Sequence, residues 1–212
     1  MLGSALLAYT PGGRVTQSFK QFARKAGVMY MGTVKQHAVE YHLVRGFTAS
    51  HSHKDTDHCI GSFLHHDFIT LNRETPSGRV VITEVDLHTL HPFSHFFVVP
   101  NTLRRELFDA VLQLYPHHRH APYAPLDSFS AKFKDEYSIL SLPTYFTRSL
   151  HFAGDDVAKC ISVLHSTKYV FEVIDNSLFV YNFAANEPTE KSLEFQVRFA
   201  CTLATALETR NK

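Results

Sequence analysis

One segment, residues 79–90, constrains the fold more than any other, because its side chains change character at alternate positions. Such alternation is typical of a β-strand with one buried and one solvated face, as in antiparallel sheets. The turn signal Pro76-Ser77-Gly78 precedes it, so we expect a hairpin with the strand before it. The alternating sets are Val81, Thr83, Val85 and Leu87 on one face and Ile82, Glu84 and Asp86 on the other.

The remaining pattern predicts an α+β fold. Apolar residues at helical spacing, with caps and breakers at the ends, predict four helices. The order of elements predicts an antiparallel β-meander with flanking helices, followed by a smaller strand-helix-hairpin-helix half, rather than a parallel α/β sheet. Helices are expected at about 16–27, 102–115 and 155–165 and from about 189 onward, and further strands at 28–34, 39–47, 60–71, 96–99, 136–142, 169–174 and 178–183.

A segment rich in proline and histidine divides the chain near its middle. Residues 116–126 carry three prolines between Pro116 and Pro125, which is typical of a linker or long loop. We therefore predict a helix-plus-sheet half over 1–115 and a second α+β half over 127–212, with one continuous domain as the alternative.

Composition narrows the class of protein and its partners. The 212 residues are 44% hydrophobic, enough to bury a core without disulfide or metal staples. A formal net charge of +1 gives no excess of basic residues to neutralise phosphates, so we expect no nucleic-acid partner. Three cysteines without a CxxC pair, and an apolar run at 5–9 far shorter than the roughly 18 residues of a spanning helix, favour a cytoplasmic protein.

The sharpest chemical signal is the segment His51-Ser52-His53-Lys54-Asp55-Thr56-Asp57-His58. Its HxHxD core resembles the opening of the metallo-β-lactamase zinc motif, in which imidazoles and a carboxylate hold zinc and activate water. In that motif a histidine directly follows the aspartate, whereas Thr56 follows Asp55 here. The segment therefore leaves two hypotheses: a zinc-dependent hydrolase using His51, His53, Asp55 and His58, or a polar loop over 49–57 that joins two strands.

Other motifs of catalysis and cofactor binding are missing from the sequence. It contains neither GxSxG nor a glycine-rich phosphate loop, and no cysteine lies where a low thiol pKa would be expected. The 18 Phe and nine Tyr fall mainly on predicted core faces without interleaved Lys or Arg, which favours packing over base stacking. We therefore expect no bound cofactor, with zinc as the alternative.

The order of apolar segments resembles an uncharacterised bacterial family of hypothetical proteins, a domain of unknown function. The resemblance covers most of residues 19–183 and implies no established activity. Family members often carry transmembrane helices before the soluble region, which this chain lacks, so the resemblance alone implies membrane association. The matching segments are Phe19-x-x-Phe22-Ala23-x-x-x-Gly27, 63–70, 79–86, 95–99, Phe129-x-x-x-Phe133-x-x-x-Tyr137-Ser138-Ile139 and 171–181.

Taken together, the sequence predicts a non-catalytic binding or assembly module. A protein partner or self-association is the expected interaction, and a location peripheral to the membrane is the alternative to the cytoplasm. The zinc-dependent hydrolase is the competing function.

Overall fold

The computed structural model of the protein describes residues 11–34, 43–49, 52–103, 109, 111, 113–123, 129–164, 169–183 and 187–211. Within these ranges the chain forms a nine-stranded sheet with helices packed against it, which confirms the α+β class. The strands are β1 (Met29–Gly32), β2 (Lys54–Phe63), β3 (His66–Thr75), β4 (Gly78–Asp86), β5 (Phe93–Pro100), β6 (Arg119–His120), β7 (Tyr137–Ser141), β8 (Tyr169–Asp175) and β9 (Ser177–Asn182). The helices are α1 (Pro11–Ala26), α2 (Ala131–Glu136), α3 (Phe146–Phe152), α4 (Asp155–Ser162) and α5 (Glu190–Arg210).

The sheet has the order β1-β2-β3-β4-β9-β8-β5-β7-β6, and each neighbouring pair is antiparallel. Strands β2, β3 and β4 form the predicted meander, and the hairpin at Pro76-Ser77 joins β3 to β4. The hairpin β8–β9 then lies between β4 and β5, so strands of both predicted halves share one sheet. Whether the halves on either side of residues 116–126 fold independently stays a prediction.

Two predictions for segments within the N-terminal half were wrong. The strand expected at 60–71 is two strands, because the chain turns at Leu64 and His65, both with positive φ (52° and 67°). The polar loop expected at 49–57 gives way to β2 from Lys54 onward. Neither Leu64 nor His65 is a typical turn residue, which is why the sequence pattern showed no break.

Helices α1 and α5 cover one face of the sheet, called here the first face. The apolar residues predicted for these helices, including Phe19 and Val197, are buried against it, except Ala26, which is exposed. Helix α5 begins where predicted, because Thr189 and Ser192 form a reciprocal capping box. Gln196 of α5 fixes the helix to the sheet by donating from Nε2 to the Val81 carbonyl of β4 and the Val180 carbonyl of β9, both at 3.1 Å.

In the described part of the chain, the opposite, second face is covered by the bends and turns of residues 43–49 and by helical residues around Val111. The strand predicted at 39–47 is wrong for residues 43–47, which form bends and turns there, and 39–42 lie outside the described residues. Val44 and Phe47 pack on this face together with Val111, a described residue of the second predicted helix. No helix in the described part of the chain is both long and apolar enough to cross a bilayer.

Candidate ligand-binding site

Asp55 of the predicted zinc motif lies on β2, where a buried arginine engages both of its oxygens. Arg73 of β3 donates from Nε to Oδ1 at 2.7 Å and from Nη2 to Oδ2 at 2.8 Å. His53 lies beside this pair, with Nε2 3.6 Å from Asp55 Oδ2. Bidentate charge-assisted bonds are among the strongest in proteins, so Asp55 serves first to neutralise a buried guanidinium.

Arg73 is fully buried and uses all five of its N–H groups. Besides the two bonds to Asp55, Nη1 donates to the Arg45 carbonyl at 2.8 Å and to Thr48 Oγ1 at 3.0 Å, and Nη2 donates to the Val44 carbonyl. These bonds attach residues 43–49 to the second face.

Of the remaining residues of the motif, His58 bonds elsewhere and His51 lies outside the described residues. His58 is buried, and its Nδ1 lies 2.9 Å from the Gly32 carbonyl of the neighbouring β1. Between Asp55 and His58, the register of β2 shifts at a bulge where Asp57 has φ 59°. The structure thus brings His53 and Asp55 together, and the zinc hypothesis stays a prediction.

A second buried carboxylate, Glu172 of β8, has partners for both of its oxygens. Oε2 accepts from the Tyr181 hydroxyl at 2.5 Å and from the Phe47 backbone N–H at 2.9 Å. Oε1 lies 3.0 Å from His95 Nε2. Burial and the adjacent carboxylate raise the pKa of Tyr181 well above its usual value, so the hydroxyl stays protonated and donates.

Gly46 allows the covering segment to approach this carboxylate. It has φ +65°, and a Cβ at this position would lie 1.8 Å from Tyr181 Oη. Only glycine meets both requirements without displacement of the segment. The contact between residues 44–47 and Glu172 therefore depends on the absence of one side-chain atom.

Aromatic rings surround Glu172 on the side of β5. His95 contacts Tyr115 and His118, with ring centroids 4.5 and 4.8 Å apart. Burial, and then the nearby His95, lowers the pKa of His118 to about 4, so this imidazole is neutral at pH 7. Burial also raises the pKa of Tyr115 to about 12, which leaves its hydroxyl protonated as a hydrogen-bond donor.

Among the described residues, Glu84 of β4 is a carboxyl on this face with a hydrogen-bond partner for one of its two oxygens. Oε1 accepts from Ser177 Oγ at 3.0 Å, whereas Oε2 is buried and has no hydrogen-bond partner among the described residues. Burial raises the pKa of Glu84 to about 7. The hydrogen bond from Ser177 opposes this rise, whereas the nearby charge of Asp86 adds to it. At neutral pH this carboxyl is therefore present in both protonation states.

Two adjoining cavities of about 430 and 400 Å³ meet at Glu84 and Leu43. The smaller one also reaches Glu172, so it joins the two carboxyl groups across Phe179. Its walls combine apolar surface with groups that can form hydrogen bonds, which is typical of a site for a small ligand. The residues lining it are Leu43, Arg45, Gly46, Glu84, Tyr115, Glu172, Ile174, Asp175, Ser177 and Phe179.

The cysteines do not contribute to this site. Burial raises the pKa of Cys59 and of Cys201 to about 12, and it also raises the pKa of Cys160. All three thiols are therefore protonated at neutral pH, and a protonated thiol is a poor nucleophile and a poor metal ligand.

Sequence reasoning missed the pairing of Glu84 and Glu172 across the sheet. Both carboxylates face Phe179 of β9 in the strand register, Glu84 from β4 and Glu172 from β8. Polar residues at otherwise apolar positions of two strands were the available signal. Their proximity follows only once the β8–β9 hairpin is known to lie next to β4.

The sequence matches no family model and no curated protein. The fold is similar to that in the crystal structure of the mycobacterial trehalose monomycolate transport factor A. The similarity has a TM-score of 0.65 and covers 91% of this chain and 94% of that one, at 7% sequence identity. At this identity the comparison shows a common fold and nothing finer.

Proposed function

We propose that this chain is a non-catalytic binding module and that its ligand enters the cavity beside Glu84. The observation that carries the proposal is that Glu84 lines an open cavity while its buried Oε2 has no hydrogen-bond partner in the part of the chain that the structure describes. A buried polar atom without a partner costs free energy, and a ligand that supplies the missing hydrogen bond recovers it.

The remaining carboxylates of this face support binding rather than chemistry. Asp55 is committed to Arg73, and Glu172 is committed to Tyr181, Phe47 and His95. A general base or a metal ligand needs lone pairs that can reach the reactant. Both groups direct theirs to donors within the protein, which suits a rigid wall of a binding site.

The chemistry of the cavity suits a ligand with hydroxyl groups next to an apolar body. A carboxyl with a pKa of about 7 both donates and accepts hydrogen bonds near neutral pH, as a hydroxyl does. Tyr115 adds a hydroxyl, and Ile174 and Phe179 add apolar surface. The similar fold of a transport factor for trehalose monomycolate, an acylated sugar by its name, supports this class of ligand.

Calorimetric titration of the full chain with trehalose and with a trehalose monoester of a fatty acid tests the proposal. We expect saturable binding of the ester and at least a tenfold loss of affinity in Glu84→Leu, since a hydrogen bond to a charged group contributes about 1.5–3 kcal/mol. Glu84→Leu replaces a buried polar group with an apolar one, so we expect the variant to remain folded. A loss of binding in this variant then reports on the site.

Glu74→Leu is the matched control. Glu74 lies on the neighbouring strand β3, next to the β3–β4 turn and away from Glu84, and it pairs with Arg79. It should bind the ester as the wild type does. Absence of saturable binding to both probes, or equal affinity in wild type and Glu84→Leu, would contradict the proposal. The cytoplasmic location expected from the sequence, with the membrane surface as alternative, stays a prediction.

A further inference from the structure

Three potential metal ligands meet where the end of helix α5 crosses the sheet. They are His66, the first residue of β3, His88, which follows β4, and Glu208 in the last turns of α5. Their candidate ligand atoms all lie within 4.8 Å of one another, and His66 Nδ1 is 3.4 Å from Glu208 Oε1. This group is distinct from the predicted motif at His51–His58 and from the cavity beside Glu84.

Each ring nitrogen of His66 lies within hydrogen-bond distance of an oxygen atom. Nε2 lies 3.1 Å from Thr205 Oγ1, a hydroxyl that is also 3.1 Å from the Cys201 carbonyl oxygen, to which it can donate its own proton. When a metal ion occupies Nδ1, Nε2 carries the proton and donates it to Thr205 Oγ1.

Two oxygen atoms lie close to Nδ1. His66 Nδ1 lies 3.3 Å from the Asp86 carbonyl oxygen and 3.4 Å from Glu208 Oε1. A cation bound to Nδ1 is attracted by both oxygen atoms. The backbone N–H of His88 holds Glu208 Oε1 in place at 2.6 Å, so the carboxylate does not simply turn away.

We propose that His66 Nδ1, the imidazole of His88 and the carboxylate of Glu208 bind a zinc ion. Two imidazoles and a carboxylate are a common donor set for this metal. Tetrahedral zinc with bonds of about 2.0–2.1 Å places its ligand atoms about 3.3 Å apart, close to the separation between Nδ1 and Oε1. His88 is exposed and its ring stacks on that of His66, with centroids 5.6 Å apart, so a rotation of this side chain brings a ring nitrogen to the ion.

The bonds to Thr205 and to the His88 backbone support the ligands. A ligating histidine usually donates its second N–H to an oxygen, and Thr205 Oγ1 lies 3.1 Å from His66 Nε2, where it can accept this bond. The ion would join β3, the segment after β4 and helix α5. Asn211, which donates to the His91 carbonyl at 2.8 Å, fixes the end of α5 to the same segment.

Zinc titration of the full, untagged and chelator-treated chain tests this site. We expect one ion per chain and a rise of the unfolding midpoint by about 5–10 °C at a free zinc concentration 100-fold above Kd. His88→Ala and Glu208→Gln should each weaken binding at least tenfold. Neither should prevent folding, because His88 is exposed and Gln keeps an oxygen that accepts from the His88 N–H.

His91→Ala and His53→Ala are the matched controls. His91 is an exposed histidine of the same segment, and His53 belongs to the predicted motif on β2, so both variants should bind zinc with wild-type affinity. Stoichiometric binding that His53→Ala abolishes and His88→Ala leaves intact would overturn the proposal and move the ion to the predicted motif. Absence of stoichiometric binding in the wild type would overturn it as well.

Discussion

Glu172 and Glu84 occupy equivalent positions on either side of Phe179, yet their surroundings differ. Glu172 lies in the covered part of the second face, defined as Asp55, Arg73, Glu172 and Tyr181 with residues 44–48 above them, and both its oxygens have partners. Glu84 lies in the open part, beside the two cavities, with one oxygen unpartnered among the described residues. Backbone coverage, rather than sheet position, separates a structural carboxylate from one that can meet a ligand.

The difference has an electrostatic origin. Charges taken out of water are tolerated when a countercharge or several hydrogen bonds replace the lost hydration. Residues 44–48 supply such bonds to Arg73 and Glu172 through backbone carbonyls, the Thr48 hydroxyl and the Phe47 N–H. Where that segment ends, Glu84 has Ser177 as its donor, and its pKa rises to about 7 instead.

Asp55→Asn is the substitution with the largest expected effect, because it leaves the buried guanidinium of Arg73 without its countercharge. Breaking a buried pair on one side costs about 3–5 kcal/mol of unfolding free energy. Urea denaturation of wild type and variant measures this loss. Asp135→Asn, at an exposed position of α2, is the control and should stay within about 0.5 kcal/mol of wild type. A loss below about 1 kcal/mol for Asp55→Asn would show that the covered part does not depend on this pair.

Gly46→Ala should have the next largest effect, because it forces the covering segment away from Tyr181. Gly27→Ala is a close control, since Gly27 has φ +69°, nearly equal to the +65° of Gly46, but a Cβ there meets no atom within 4 Å. Both variants carry the strain of a left-handed alanine, about 1–2 kcal/mol. We expect Gly46→Ala to lose about 1–3 kcal/mol more, from overpacking. Equal unfolding free energies in the two variants would mean that the segment yields without cost.

The elements that were predicted correctly have local signals in their own sequence. Pro76-Ser77-Gly78 identified the β3–β4 hairpin, and Thr189 identified the start of α5, because turn and cap preferences act over a few residues. The turn at Leu64-His65 was missed because the β2–β3 pairing, and not its own residues, holds that backbone in place. Local preference is a weak guide where tertiary pairing overrides it.

The site was harder to foresee than the fold. Asp55 attracted attention through its neighbours His53 and His58, but the residue that determines its role is Arg73, directly opposite on β3. Glu84 and Glu172 are far apart in sequence and meet only because β9 lies between β4 and β8. Cross-strand partners of this kind depend on the strand order, which single-sequence patterns do not encode.

Glu84→Gln should have the smallest effect and the opposite sign, and it tests the open part directly. Because the folded protein holds the Glu84 proton up to about pH 7, against an ordinary value of 4.5, this group's contribution to stability is complete below pH 4.5. It declines as the pH rises to about 7. Gln cannot ionise, so the unfolding free energy of Glu84→Gln does not decline in this way. We expect the difference in unfolding free energy between variant and wild type to shift in favour of the variant by about 1–2 kcal/mol from pH 4.5 to pH 8.

Unfolding free energies measured between pH 4 and pH 8 give this profile, and Glu74→Gln, the same substitution at a half-exposed position, should follow the wild type. A ligand that donates a hydrogen bond to Oε2 stabilises the charged form, so saturating ligand should flatten the wild-type profile and leave that of Glu84→Gln unchanged. Parallel profiles for wild type and Glu84→Gln would mean that water already solvates this carboxyl. Glu84 would then resemble Glu172 in being satisfied, and the contrast between the covered and open parts would disappear.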